Sequence, residues 1–327
     1  MLPIKRLIRG FYRLLLPTVI LLVLTYVGSS IWLVSKSVEP PRNPYLMTPE
    51  KYGMLSTRAA RITDETWTNP DGTTARGWLL RGAEGKPAVI LLHRYGADRS
   101  WILNLGVKIN EATDLTILMP DLRGHGENPP VKAATLGSAE TDDVVASIEF
   151  LKGLKSENNN PLVNNGFGLY GIELGALAAI GAAAKEPNVK AMAIDSAPAD
   201  SNEMLGLVIL KRYPFVSSLT SRIAKGGTYF YFYNGNYSRD SMCDVAKKIT
   251  NPKVLVIANT ETERLRTAST EIASCFLNQA LVERQLDLMP SGYNIINATN
   301  EESGTYDLRV IDFFKNALAN TENYSGL

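Results

Sequence analysis

Histidine is scarce in this chain: there are two among 327 residues, His93 and His125, and none follows position 125. Two imidazoles so placed, with no cluster of thiols or carboxylates at ligand spacing, exclude a recognisable metal site. Cysteine is equally scarce. Cys243 and Cys275 are the whole complement, enough for one bond in an oxidising compartment but equally the count of two inert buried thiols. There is little charge imbalance either. A net charge of +1 gives no reason to expect a nucleic-acid partner. A dinucleotide fingerprint is missing as well. Gly166, Gly168, Gly171 and Gly175 are suggestively spaced, but the first parallel strand lacks G-x-G-x-x-G and no acidic residue sits at the matching place in the next unit. No cofactor is expected.

What charge there is lies unevenly. Lys5, Arg6, Arg9 and Arg13 precede every acidic residue, and without them the remainder carries −3. They are followed by an uncharged, mostly apolar run of 21 residues, Leu14 to Val34. At about 1.5 Å per residue such a run crosses a hydrocarbon layer of roughly 30 Å. Pro17 falls near its start, where a missing amide donor costs little, and Tyr12 and Trp32 lie near the two expected interfaces. A cleaved signal peptide fits less well. Its apolar core spans roughly 7–15 residues, whereas here the run resumes after Gly28-Ser29-Ser30 with Ile31-Trp32-Leu33-Val34. The expected partner of residues 14–34 is therefore the lipid bilayer. Four bases before the span, against Lys36, Arg42 and Lys51 after it, place the N-terminus in the cytoplasm and the main domain on the far side. The sequons at Asn236, Asn297 and Asn323 bear on this only in a glycosylating host.

The expected organisation is a basic segment (1–13), a transmembrane helix (14–34), a linker (35–60), a globular domain (61–319) and a short tail (320–327). Pro40-Pro41-Arg42-Asn43-Pro44 stiffens the linker. Strands are predicted over 61–67 and 73–80 around the turn Asn69-Pro70-Asp71-Gly72, and buried strands over 88–92, 115–119, 189–194 and 253–258. Helices are predicted over 100–111, with Ser100 as cap, and over 138–154 and 306–319, with a last strand over 281–289. Residues 198–250 break the rhythm and read as a cap or lid. Within it Tyr229 to Tyr233 is either a binding surface or an ordinary strand or cap element. Alternating short apolar strands and helices argue for a mostly parallel central sheet with helices on both faces, an α/β fold.

The most informative segment is Gly171-Ile172-Glu173-Leu174-Gly175, which follows a short strand (168–170) and precedes the small-residue helix ALAAIGAAA (176–184). A sharp strand-to-helix turn needs small flanking residues so that its central side chain stands above the sheet. Three further landmarks accompany it in order. They are Leu91-Leu92-His93-Arg94-Tyr95-Gly96, Asp121-Leu122-Arg123-Gly124-His125-Gly126, and Gly137 with Glu140 and Asp143. Together, over residues 61 to 319, they resemble the α/β-hydrolase superfamily, especially its monoglyceride-lipase and serine-aminopeptidase-like branch.

That resemblance implies an α/β-hydrolase fold with a small cap, and carries roles onto particular positions. Glu173 occupies the place of the nucleophilic serine. The oxyanion amides fall at Leu174 and near Arg94 or Tyr95, with His93-Arg94 where the family has His-Gly. The triad acid falls nearest Glu261, with Glu263 as substitute. Where the triad histidine belongs, residues 290–305 supply Asn294, Asn297 and Asn300 instead. A carboxylate paired with Arg94, or held by elbow amides, is the expected state of Glu173. His93 and His125 are expected to serve the loops rather than catalysis, and Ser196 is rejected as a nucleophile because it lacks flanking elbow glycines. Without serine and histidine the covalent route is absent. The expectation is a membrane-anchored, non-catalytic hydrolase-like protein that binds a membrane or extracytoplasmic partner, as in an accessory subunit. Its alternatives are a hydrolase of small esters, amides or lipids with a Glu-centred site, and a module binding a small molecule in the former substrate pocket.

Overall fold

The computed structural model describes residues 2–53, 61–258, 262–288, 291–295 and 298–319. Helices α1 (Leu2–Val38) and α2 (Pro49–Gly53) come first. The chain continues through β1 (Ile62–Thr68), β2 (Thr74–Leu80), β3 (Lys86–Leu92), α3 (Leu103–Thr113), β4 (Thr116–Pro120), α4 (Ser138–Gly153), β5 (Val163–Ile172), α5 (Leu174–Lys185) and β6 (Val189–Asp195). Helices α6 (Ser201–Arg212), α7 (Ser217–Tyr231) and α8 (Met242–Ala246) come next, then β7 (Lys253–Ile257), α9 (Glu263–Cys275), β8 (Val282–Gln285) and α10 (Asn300–Leu318). The chain divides into two compact units, one of residues 1–38 with 205–236, the other of residues 39–204 with 237–327.

In the smaller unit, Tyr12–Val38 of α1 is long and apolar enough to cross a membrane. Its leucines, valines and Ile20 between Leu14 and Leu24 are exposed. The region between β6 and β7, expected as a cap, is helical. Its aromatic stretch ends α7 instead of forming a strand.

The larger unit is built on one eight-stranded sheet in the order β1-β2-β4-β3-β5-β6-β7-β8. β1 and β2 are antiparallel to their neighbours, while β4-β3-β5-β6-β7-β8 run parallel. The middle strands are apolar on both faces because helices cover both. Val89, Leu91, Ile117 and Met119 face a core shared with Ile102, Ile109, Val310 and Phe314. The small residues of α5, from Leu174 to Ile180, are fully buried.

Several boundaries differ from expectation for local reasons. Asp98, not Ser100, caps the chain after β3 by accepting from the Ser100 amide, and the resulting 3-10 turn delays α3 to Leu103. The elbow strand runs the full length of Val163–Ile172 because both neighbours pair with it. The closing helix starts at Asn300, where Thr299 and Glu302 form a capping box. Asn300 thus belongs to a helix and not to the loop expected to hold a histidine. β8 stops at Gln285. The linker is not a free spacer beyond Glu39. Tyr45 packs on Trp78 with ring centroids 5.2 Å apart, its hydroxyl donates to Asp121 at 2.8 Å, and the Tyr52 hydroxyl donates to Asn104.

Candidate functional site

Strand register assembles the candidate site. Leu92 pairs with Gly171 across β3 and β5, and Ile172 pairs with Asp195 across β5 and β6. The loop after β3, the turn after β5 and the end of β6 therefore meet at the C-terminal edge of the parallel strands, where such sheets place their sites. Glu173 sits at the turn itself with φ 51° and ψ −104°. That is a left-handed conformation a side chain adopts only when its surroundings hold it there. Here they do: the Glu173 amide donates to Asp195 O at 3.0 Å, and its carbonyl accepts from Ala176 and Leu177 to start α5. The flanking glycines are dictated by contact. A Cβ on Gly171 would overlap the Gly175 carbonyl, and one on Gly175 would stand 2.8 Å from the Leu92 carbonyl carbon.

The Glu173 carboxylate is buried, 4% exposed, and its Oε2 accepts from the Tyr95 backbone amide at 3.0 Å. Tyr95 is one of the two positions expected to supply an oxyanion donor near the start of that loop. The Arg94 guanidinium lies over Trp101 at 4.7 Å and Tyr293 at 5.2 Å and donates to Tyr95 O at 3.3 Å, while its Nε has no hydrogen-bond partner among the described residues. Two aromatic faces beside the loop compete for the cation, and a planar guanidinium stacks well on them. Tyr293 is within the field of both charges. Burial raises its hydroxyl pKa first, Glu173 raises it further, and Arg94 opposes them. The region expected to hold asparagines around the turn thus contributes a tyrosine. Asn294 itself bonds back to Ser291 through its amide, and Asn297 lies outside the described residues.

Both histidines are used up by loop backbone. His93 Nε2 accepts from Leu122 N at 3.0 Å, which leaves Nδ1 as the donor to Arg94 O at 2.9 Å. His125 Nε2 accepts from Gly96 N at 3.1 Å and its Nδ1 donates to Arg123 O. Each ring therefore ties the loop after β3 to the loop after β4. Burial holds them neutral, lowering His93 to about 4 and His125 to about 3.

The buried acid at the sheet edge is Asp195, which sequence reading passed over as a candidate. Its Oδ1 accepts from Ser196 Oγ at 2.7 Å. Its Oδ2 accepts from Gly292 N and Tyr306 Oη, each at 2.6 Å. Tyr306 is in turn 2.7 Å from Tyr170 Oη. Burial pushes Asp195 up to about 6 against the pull of those three donors. An acid closing the apolar strand run VKAMAI was the available signal. Glu261, the expected acid, lies outside the described residues, while Glu263 opens α9 on the surface near Arg266. Ser196 is fully buried at φ 51°, so it offers no accessible nucleophile. Beside this network is a cavity of about 180 Å³, bounded by Trp101, Asn104, Tyr170, Ile172, Tyr306 and Asp307 among others. It is smaller than the roughly 300–1,000 Å³ common for drug-sized ligands.

These pKa shifts imply an unusual acid response. A histidine near 6.5 unfolded but near 4 or 3 folded contributes stability above about pH 6.5 that is lost as pH falls, at ~1.4 kcal/mol per pH unit each. Asp195 and Asp143, both raised to about 6 chiefly by burial, behave oppositely. Their contribution is complete below about pH 3.9 and is lost as pH rises to 6. Between pH 6 and 4 the two effects oppose each other, so the buried carboxylates offset part of the stability that the histidines lose. Urea titrations of Asp195→Asn are expected to show a steeper loss of stability between pH 6 and 4 than those of the wild type, and an unchanged slope would mean that Asp195 is not raised.

No protein-family model matches the chain, and no curated protein sequence matches it. Solved structures do. An esterase of Pyrococcus furiosus, Pf2001, superposes with a TM-score of 0.60 at 21% identity, over 86% of this chain and 100% of that one. The α/β hydrolase GrgF from Penicillium sp. sh18 gives 0.55 at 17%, over 79% and 99%. A thermostable carboxyl esterase from Bacillus coagulans gives 0.54 at 12%, over 79% and 99%. Likeness at this identity is likeness of fold. With the strand order and the elbow geometry, it makes this an α/β-hydrolase fold, with a mixed, mostly parallel sheet flanked by helices and one apolar N-terminal helix long enough to span a membrane.

Proposed function

We propose that this chain is a membrane-anchored protein that keeps the α/β-hydrolase scaffold, of the monoglyceride-lipase and serine-aminopeptidase-like kind, without serine hydrolysis, and that it acts by binding a partner. One observation carries the reading: at the nucleophile's position stands a buried carboxylate that accepts the Tyr95 amide. An amide so engaged is not available to a tetrahedral oxyanion, and a neighbouring negative charge raises the energy of any oxyanion that forms. Neither histidine has a ring nitrogen left for a triad, so the proton relay of the covalent mechanism has no base. The bases in the first turns of α1 orient the N-terminus toward the cytoplasm. The bonded pair Cys243–Cys275 supports an oxidising, extracytoplasmic setting for the main domain.

The likeness to two esterases favours a second reading, in which Glu173 serves as a general base for water on a small ester, amide or lipid. The two readings separate in one experiment. Purified full-length protein is expected to stay unlabelled by a fluorophosphonate and to turn over short activated esters no faster than a denatured sample. Glu173→Ser is expected to remain inactive, because no histidine is restored. Ester or amide turnover by the wild type that vanishes in Glu173→Gln would refute the binding reading and make the carboxylate catalytic.

A further inference from the structure

Helix α7 packs along α1 through two glycines. A Cβ on Gly227 would overlap the Ser30 carbonyl and stand 2.6 Å from its carbon, and one on Gly226 would overlap the Tyr26 hydroxyl. Arg212, just upstream of α7, donates to Lys36 O. The two contacts fix the direction. As α7 proceeds from residue 217 to 227, its neighbours on α1 descend from about Lys36 to Ser30, so the helices are antiparallel. Ser30 already lies inside the apolar run, ~6 Å short of its end at Val34. The turn of α7 beyond Gly227 therefore lies alongside the part of α1 expected in lipid.

That last turn and the residues just after it carry Tyr229, Phe230 and Tyr233, 65%, 47% and 87% exposed. Tyrosine and phenylalanine beside a span offer lipid large apolar rings. The cations lie on the other side of the glycine pair. Arg222 and Lys225 precede it and Arg212 marks the Lys36 level, so they fall farther from the membrane centre than the aromatic residues, within reach of phosphate.

We propose that the C-terminal end of α7 enters the same leaflet as α1, with Tyr229, Phe230 and Tyr233 among the acyl chains beside the apolar run and Arg222 and Lys225 reaching outward to anionic phospholipid. The protein then holds the membrane by two elements. The second is the helical segment that sequence reading took for a lid. This rests on α1 spanning the bilayer, as in the proposed function.

The test uses the full chain in vesicles of phosphatidylcholine and phosphatidylglycerol. Because the native cysteines are bonded to each other, one added cysteine can carry a nitroxide alone. Phe230→Cys and Tyr233→Cys report on α7, Leu22→Cys on the span and Glu157→Cys on water. Collisions with oxygen are compared with collisions with a water-soluble nickel chelate. Labels at 230 and 233 are expected to favour oxygen, as at 22 and opposite to 157. A label at 22 that favours oxygen while those at 230 and 233 favour nickel would overturn this proposal alone. So would labels at 230 and 233 shielded from both reagents, because that indicates cover by protein. A nickel-accessible label at 22 would overturn the span and this proposal together.

Discussion

Gly171→Ala is expected to destabilise the protein by about 3 kcal/mol or more, the upper end of the cost of overpacking. The added methyl would overlap the Gly175 carbonyl and stand 2.6 Å from Ala176 N. Backbone starting a buried helix cannot move aside as a flexible side chain can. Gly153→Ala supplies the control, since a Cβ there meets nothing within 4 Å and alanine is the better helix former by up to about 1 kcal/mol. Urea denaturation of both variants in detergent measures the contrast. A Gly171→Ala variant within about 0.5 kcal/mol of wild type would mean that the tight turn beneath Glu173 is not formed.

The second large effect is expected from the disulfide. Cys243 in α8 and Cys275 at the end of α9 are bonded with Cα atoms 5.3 Å apart and a sequence separation of 32. Closing a loop of that length restricts the unfolded chain by roughly 3–4 kcal/mol. The double change Cys243→Ser with Cys275→Ser is expected to lower stability by about that amount. Protein isolated from its native membrane under thiol-blocking conditions should show no free thiol on denaturation. Two titratable thiols there would place the domain in a reducing compartment and reverse the proposed orientation.

Much was legible without coordinates because it depends on short-range chemistry. The 21-residue uncharged run needs only its length and composition to be read as α1. The spacing of Gly171 and Gly175 around Glu173 marks a turn in which backbone meets backbone, and no other residue type fits there. Alternating apolar runs located the parallel strands to within a few residues because a strand covered on both faces tolerates little polarity. Helix starts were read less well. Asp98 and Thr299 displaced the expected starts by accepting amide hydrogens one turn away from the apolar pattern.

The sequence by itself thus determined the long apolar N-terminal helix, the order of strands and helices, and the carboxylate at the elbow. Tertiary structure decided where the polar groups went. Arg94 adjoins Glu173's loop, yet its cation lies on Trp101 and Tyr293 while Tyr95's amide takes the carboxylate. Asp195 gathers Ser196, Gly292 and Tyr306 from segments up to 111 positions away, and α7 lies beside α1 across nearly two hundred residues of intervening chain. Periodicity reports which face of an element is apolar. It carries no record of which distant donor, ring or helix will satisfy a given buried group, because that choice is made by competition among neighbours that exist only after the sheet has set its register.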